Sequence, residues 1–466
     1  MDLDRVRANY LAVRDALPEA AVYYAVKANP AAEIIRLLAG LGAGFDVASP
    51  GEVELCLAQG ATPDRLSYGN TIKKAGEISL AYRLGVRRFS FDSAGDLENL
   101  GRLAPGSVVA CRFLVDAPES GTPFGRKFGC SPGEAVRLLE RAAALGLRPA
   151  LCFHVGSQQT DAAAWTAGVS QALGILKTLS AKGITLESLN VGGGFPVAYR
   201  DPVPAFAECA AAIRAGLDTD HPPLAIEPGR VIVASAGTIR ASVVSVAERD
   251  RRWVYLDVGR YNGLAETENE YIPYRMTAHA ESDVDGPVIV AGPTCDGDDV
   301  LYRHTPYRLP LSLRAGDRID LHDAGAYTAS YSSVSFNGIP PLPTYFPDQG
   351  PGTFAGRHVL AELDGIDPAI LNDTDLLRES LAGALKQAGA TVCEVVSKGF
   401  SPHGVTVLAL LAESHASIHT YPERGSAFVD VFTCGWRADP AEAVRLLGSA
   451  LAATRVRAQT VHRGLS

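Results

Sequence analysis

Positive charge is in deficit in this chain. Its 466 residues carry 43 Lys and Arg against 52 Asp and Glu, a formal net charge of −9 before histidine. A broad nucleic-acid surface needs clustered positive charge, so that class of partner is excluded. Long apolar runs are missing too. The longest, residues 405–412, has the length of a strand or core helix, far short of the roughly 20 residues that span a membrane. The opening MDLDRVRANY is charged at once and lacks the apolar core of a signal peptide. Eight cysteines lie far apart, with no CxxC pair and no zinc spacing, so neither a metal site nor a disulfide scaffold is expected. The chain is 47% hydrophobic and 20% charged, enough to bury a core. At about 150 residues per domain it holds two or three domains. These features predict a soluble, reduced, cytoplasmic protein with small-molecule partners and no nucleic-acid or membrane partner.

Three textures follow one another. From residue 21 to about 232, short apolar runs alternate with amphipathic stretches such as AAEIIRLLAGL and PGEVELCLAQG. The runs are AVYYAVKA, GAGFDVAS, RLSYGN, RRFSFDS, SVVACRFLV, RPALCFHVGS, SLNVGGGFP and LAIEPGR. Strand then helix, repeated, implies a parallel sheet. Eight strands close a (β/α)8 barrel, and an open doubly wound sheet is the alternative. From 233 to 345 the chain is β-rich, with the run VIVASAGTIRASVVSVAE leading into it from residue 231, and reads as an antiparallel β domain, open or barrel-like. Pro and Gly then mark a linker at 346–355. Residues 356–466 form a third domain of α+β type, a two-layer arrangement with helices expected near 373–388 and 440–453.

Chemistry concentrates at the strand ends, where such barrels place their active sites. The seventh run ends in Gly192-Gly193-Gly194 and the eighth in Glu227-Pro228-Gly229-Arg230. Glycines let backbone N–H groups close on an anion, and a guanidinium adds to the same phosphate site. A tight turn with a solvated arginine is the plainer alternative. Lys27 closes the first strand. A lysine beside a phosphate site and a carboxylate points to pyridoxal phosphate, the lysine forming a Schiff base and the acid pairing with the ring nitrogen. His154, ending the sixth run, is placed to stack on such a ring, with Ser157 near the phosphate; a core histidine is the alternative.

These residues sit in motifs that resemble a known family. YYAVKANP (23–30), GFDVAS (44–49), KFG (127–129), FHVGSQ (153–158), GGGFP (192–196), EPGR (227–230), GPTCDGDD (292–299), DAGAYT (323–328) and FNG (336–338) resemble, in order, the alanine-racemase-fold pyridoxal-phosphate decarboxylases, nearest to the ornithine enzymes. The resemblance implies that Lys27 is the Schiff-base lysine, that Glu227 faces the pyridine nitrogen and that His154 stacks on the ring. It implies phosphate ligands at Gly194, Arg230, Ser157 and Tyr327, with Gly193 in the same cradle and Asp46 and Arg112 at further active-site positions. Cys295 resembles the cysteine that returns a proton to the substrate after CO2 leaves, and Asp296 the acid holding the distal ammonium. In the family both come from a second subunit, implying a head-to-tail homodimer. A second acid for that ammonium is sought in LAETENE, at Glu266 or Glu268. The family's opening strand is not found before the first helix, which implies a trimmed start or a β domain with one strand fewer.

In the third domain, Ser414 precedes His415, Ser417 and His419, which alternate with the apolar Ala416 and Ile418, and Cys434 follows in VDVFTCG. Alternation puts the odd positions on one strand face. A set of Ser, His and Cys serves a nucleophile with proton partners, or else the exposed face of an ordinary strand. GRHVLAELDGID, KGFSPHGVTVLALLAESHASIHTYPERG and DVFTCG are similar to the bacterial S-adenosylmethionine decarboxylases. That resemblance implies cleavage between Glu413 and Ser414, with the serine becoming an N-terminal pyruvoyl group. It implies a processing role for His419, a proton-donating role for Cys434, and substrate contacts at Phe400, Thr406, Tyr421 and Glu423, with Tyr421 standing where Trp is commoner. The whole then reads as a fusion of two polyamine-synthesis decarboxylases, for L-ornithine and for S-adenosylmethionine. An active barrel with an unprocessed regulatory domain, and a non-catalytic regulator, are the other readings.

Overall fold

A computed structural model of the chain describes residues 1–116, 120, 127–280, 284–346, 356–434 and 438–463. The chain divides into two compact units, Met1–Tyr345 and Phe346–Ser466. Apart from Phe346, the expected linker lies outside the described residues.

The first unit begins with helix Leu3–Ala16 and then builds a closed barrel. Its strands are β1 (Ala20–Ala25), β2 (Gly44–Val47), β3 (Leu66–Tyr68), β4 (Arg88–Phe91), β5 (Val108–Arg112), β6 (Arg148–Cys152), β7 (Leu189–Asn190) and β8 (Leu224–Ile226). Successive strands pair in parallel, and β1 closes on β8 with Val22 opposite Ile226. The eight runs read from the sequence are these eight strands. Residues of β3 and β8 are buried without interruption, because a parallel strand has side chains packed on both faces. The outer helices start at sequence-encoded caps. Ser49, Ser93 and Ser131 each accept from a backbone N–H three residues on, and Pro132 takes the first position of its helix. Trp165, on helix Ala163–Ser180, stacks on Phe195 at 4.9 Å, fixing the segment that follows the triple glycine.

One buried ion pair pins the loop after β3. Lys73 Nζ meets Asp96 Oδ2 at 2.5 Å and also donates to Asn70 O and Ser90 O at 2.9 and 2.6 Å. The lysine side chain is fully buried, so each of its three donors needs an acceptor.

The β run expected from residue 231 is split. Arg230–Val233 is helical, Ala234–Ala236 is a 3-10 turn, and β9 (Ile239–Glu248) begins only afterwards. Small and apolar residues buried on all sides fit either a helix or a strand. Here the segment packs on helix Leu3–Ala16, where Asn9 Nδ2 donates to Ile232 O and Ser235 Oγ at 2.9 and 3.0 Å. β9 joins β10 (Arg252–Leu256), β11 (Met276–His279), β12 (Asp285–Ala291), β13 (Val300–Pro310) and β14 (Arg318–Leu321) in a sheet ordered β11-β14-β9-β10-β12-β13. Neighbours run antiparallel except β10 and β12, which are parallel.

The second unit is two-layered. β15 (Gly356–Asp364), β16 (Val392–Gly399), β17 (Val405–Leu411), β18 (Ser414–Tyr421), β19 (Ser426–Cys434) and β20 (Arg455–Arg463) form an antiparallel sheet ordered β16-β17-β18-β19-β15-β20. Helices Thr374–Gln387 and Pro440–Ala450, capped by Asp373 and Asp439, bury Leu381 and Leu447 with Val359, Ile418 and Val429 of the sheet. Along β18, Ala416, Ile418 and Thr420 face this core, while His415, His419 and Tyr421 are exposed. Ser417 is buried despite its odd position, because it bonds to a neighbouring strand. Among the described residues no helix is long and apolar enough to cross a membrane.

The Lys73–Asp96 pair makes a stability prediction. Lys73→Ala leaves Asp96 as an unpaired buried charge and lowers the unfolding free energy by about 3–5 kcal/mol. A urea midpoint unchanged by the substitution contradicts this account of the loop.

Candidate active sites

The barrel mouth gathers charge from four strand ends. Lys27 lies in the 3-10 turn Val26–Ala28 directly after β1. Its Nζ meets Asp46 Oδ2, from β2, at 2.9 Å. Asp46 is buried and its Oδ1 has no partner. Glu227 follows β8 and accepts from Asn190 Nδ2, at the end of β7, at 2.5 Å. Burial, reinforced by the Asp46 charge, pushes the Glu227 carboxyl up to about 7 against the opposing pull of Lys27, Asn190 and Arg112. Burial alone would depress Lys27. Asp46, Tyr327 and Glu227 together outweigh it and hold the ammonium above its ordinary value. His154 goes the other way: burial first, then Arg112 and Lys27, drive it well below the usual imidazole range. Gly156 N–H donates to His154 Nδ1 at 3.0 Å, so the neutral ring carries its proton on Nε2.

An anion cradle adjoins this cluster. Gly194 has φ +92°, and a Cβ there would lie 2.1 Å from Gly156 O. A Cβ at Gly193 would lie 2.4 Å from Glu227 O. Only glycine permits this approach. Arg230 is buried and forks Glu266 at 2.6 and 2.8 Å, while also reaching Tyr199 Oη at 2.8 Å and Ser157 Oγ at 3.2 Å. Its Nε is buried without a partner, a donor still open to an anion. Tyr327 lies under the guanidinium, 4.9 Å from ring centre to Cζ, with φ +54° and its N–H bonded to Ala28 O at 2.8 Å. Two cavities of about 400 and 300 Å³ meet here and share Lys27, His154 and Glu227. Arg112, ending β5, lines the smaller one beside Phe128.

The residues present fit pyridoxal phosphate: a lysine, a half-buried acid set for a ring nitrogen, a neutral imidazole, and a glycine cradle with an arginine. Glu266 faces Arg230 with both carboxylate oxygens, and Glu268 lies by Arg260 at 3.3 Å. Cys295 and Asp296 occupy the exposed loop after β12 and line neither cavity. Asn337 Nδ2 donates to Cys295 Sγ at 3.3 Å. Asn190 and Tyr199 are site residues that sequence reasoning missed. The signal for Asn190 was its place two residues before the triple glycine.

The second site spans the sheet of Phe346–Ser466. Ser414 opens β18, and the Glu413 carbonyl just before it accepts from Cys434 N–H at 3.0 Å. Ser414 Oγ is 3.2 Å from His415 Nδ1. His419 uses Nδ1 toward Thr406 Oγ1 at 2.9 Å and Nε2 toward Ser417 Oγ at 3.3 Å. Ser417 Oγ donates to Asp430 Oδ2. The Nε2 atoms of His415 and His358 each lie 3.4 Å from Asp430 Oδ1. An open groove of about 540 Å³ is lined by His419, Phe428 and Asp430. Phe400, Tyr421 and Glu423 lie outside that lining: Phe400 is exposed, Tyr421 packs on Phe428 at 5.1 Å, and Glu423 pairs with His403 at 3.1 Å. His358, His415 and Asp430 were not singled out from the sequence as a unit, since they come from three separate strands.

Fold and first site together define a barrel-type pyridoxal-phosphate decarboxylase. Residues 3–234 match the pyridoxal-dependent decarboxylases, pyridoxal binding domain, and residues 357–464 match S-adenosylmethionine decarboxylase. The lysine/ornithine decarboxylase of Selenomonas ruminantium is 36% identical over 353 residues, 74% of this chain and 88% of that protein. Antizyme inhibitor 2 of Xenopus laevis is 32% identical, over 74% of this chain and 79% of its own. The crystal structure of Vibrio vulnificus lysine/ornithine decarboxylase complexed with cadaverine superposes with a TM-score of 0.68 at 32% identity, covering 74% of this chain and 93% of that one. The chain belongs to the pyridoxal-dependent decarboxylase family and carries an S-adenosylmethionine decarboxylase domain at its C-terminal end. Both are carboxy-lyase families; the first works with pyridoxal phosphate, the second with a pyruvoyl group.

The raised Glu227 carboxyl has a pH signature in the cofactor-free protein. Its folded-state value, about 7, exceeds the ordinary 4.5. The stability it contributes is therefore full below the unfolded value and is lost as pH rises through the folded one. Glu227→Gln should raise the melting temperature at pH 8 relative to the parent and leave it nearly unchanged at pH 4. Equal shifts at both pH values contradict the assignment.

Proposed function

We propose that the chain is bifunctional: one unit converts L-ornithine to putrescine and CO2, and the other converts S-adenosylmethionine to its decarboxylated aminopropyl donor and CO2. The observation that carries this is that each unit holds the group its own electron acceptor needs, Lys27 in the barrel to anchor a bound one and the Glu413–Ser414 bond in the sheet to make one. When bound, pyridoxal phosphate supplies the electron sink for loss of CO2. This chain's residues do the rest. Glu227 pairs with the ring nitrogen, and neutral His154 lies against the ring. Gly193, Gly194, Ser157, Arg230 and Tyr327 hold the phosphate, and Asp46 and Arg112 set the lysine end. Glu266, the candidate second acid for the distal ammonium, gives both carboxylate oxygens to Arg230 and keeps that fork in one orientation.

Cys295 returns the proton and Asp296 holds the distal ammonium from a second subunit, so the active form is a homodimer. Their position outside the cavities of their own subunit supports that reading. In the second unit, Ser414 becomes the pyruvoyl group, Cys434 donates the catalytic proton, and Phe400, Thr406, Tyr421 and Glu423 contact substrate. The eight free thiols suit a reducing, cytoplasmic setting.

Purified protein should release CO2 from both ornithine and S-adenosylmethionine, with lysine and arginine as the competing substrates to assay. Denaturing gels should show fragments 1–413 and 414–466. Lys27→Ala should abolish the ornithine reaction and the cofactor's absorbance while leaving the S-adenosylmethionine reaction, and Ser414→Ala the reverse with an uncut chain. CO2 from neither substrate ends the proposal.

A further inference from the structure

Ser414 must lose its hydroxyl proton before its oxygen attacks the Glu413 carbonyl carbon. The imidazole that meets this hydroxyl is His415, with Nδ1 at 3.2 Å. His419 has both ring nitrogens directed elsewhere, to Thr406 and Ser417. Behind His415 stands a carboxylate, Asp430 Oδ1, 3.4 Å from Nε2. That carboxylate is itself held, since Oδ2 accepts from Ser417 and Oδ1 also faces His358 Nε2 at 3.4 Å.

The sheet explains the convergence. β19 runs between β18 and β15, and Phe432 pairs across to both His415 and His358. The two imidazoles therefore flank one ring, at 5.9 and 5.2 Å. Asp430 is two residues from Phe432 on the same face and opposite Ser417. On the acceptor side, the Glu413 carbonyl oxygen already takes the Cys434 N–H at 3.0 Å, the place where negative charge develops on attack.

We propose that Ser414, His415 and Asp430 form a hydroxyl–imidazole–carboxylate relay that begins self-cleavage, with the Cys434 backbone N–H holding the oxyanion. The proposal rests on the self-cleavage reading above. His415 Nδ1 takes the Oγ proton as Oγ bonds to the Glu413 carbonyl carbon. The C–N bond to Ser414 then breaks, and the same proton passes from Nδ1 to the departing nitrogen. An ester and a free amine result, with no net gain or loss of protons or electrons. The Asp430 carboxylate, with Oδ1 3.4 Å from Nε2, stabilises the imidazolium by its charge, the part a carboxylate plays in other Ser-His-Asp arrangements. The elimination that follows removes the Ser414 Cα hydrogen and is a separate step.

The test follows processing of the freshly purified full chain on denaturing gels. His415→Ala should slow cleavage by about 10²–10⁴-fold, the usual contribution of a positioned base. Hydroxylamine, which cuts esters, should release no fragment from uncut His415→Ala, because the ester has not formed. Added imidazole should restore part of the rate. Asp430→Asn should slow cleavage less, and the double variant should be no slower than His415→Ala alone, since members of a relay are not additive. Cleavage of the parent in EDTA should be unchanged; its loss would assign His358, His415 and Asp430, whose ligand atoms lie within 4.8 Å of one another, to a metal and overturn the relay. Normal cleavage in His415→Ala overturns it too. So does a slow variant that imidazole does not rescue and that Asp430→Asn slows further in proportion, since that is a structural role. If the parent chain stays uncut, the self-cleavage reading fails first, a result distinct from all of these.

Discussion

Two carboxylates and one ammonium share the closed mouth of the barrel, and the first site depends on how that charge is divided. Asp46 is buried and Glu227 half-buried beside Lys27. One ammonium cannot fully offset two carboxylates drawn away from water, so one carboxyl must yield. Asp46 takes the direct contact with Lys27, and Glu227 is the group pushed up to about 7. Its hydrogen bond from Asn190 keeps it oriented toward the cavity. An acid poised near neutrality is what a pyridine nitrogen requires as a partner, for the pair can share one proton. Burial first, and then the positive charge of Arg112 and Lys27, keeps His154 neutral, which suits a ring meant for stacking. Fold and chemistry meet here, because only closure of parallel strands brings the ends of β1, β2, β7 and β8 within one cavity.

The second unit reaches a comparable end by a different route. One face of its sheet is filled by helices, and the other is free to carry polar side chains in register. Strand periodicity places His415, Ser417 and His419 along one line, and pairing with β19 adds Asp430. No phosphate cradle is needed where the electron acceptor is part of the backbone. The site is accordingly an open groove on a sheet rather than a pocket at strand ends.

Much of this was legible in the sequence. The eight barrel strands were readable because buried parallel strands are short apolar runs bounded by turns and caps. Lys27, His154, the triple glycine and Glu227 were readable because strand ends in such a barrel converge whatever the loops do. The segment 231–236 was not, since its small apolar residues fit helix and strand alike until helix Leu3–Ala16 packs on it. The parallel pairing of β10 with β12 was hidden because strand order is a non-local property. Glu266 could be recognised as a site acid but not as the partner of Arg230, which lies 36 residues earlier. Asp430 and His358 escaped for the same reason, as each reaches Ser414's neighbour only across paired strands.

The central claim is that one polypeptide carries two carbonyl electron acceptors, one bound and one made. Borohydride reduction of the purified chain, followed by peptide mass spectrometry, tests both at once. The account predicts a reduced pyridoxyl-phosphate adduct on the peptide containing Lys27, together with a peptide that begins at position 414 with a lactoyl group. An unmodified Lys27 peptide alongside an intact peptide spanning Glu413 and Ser414 would contradict it.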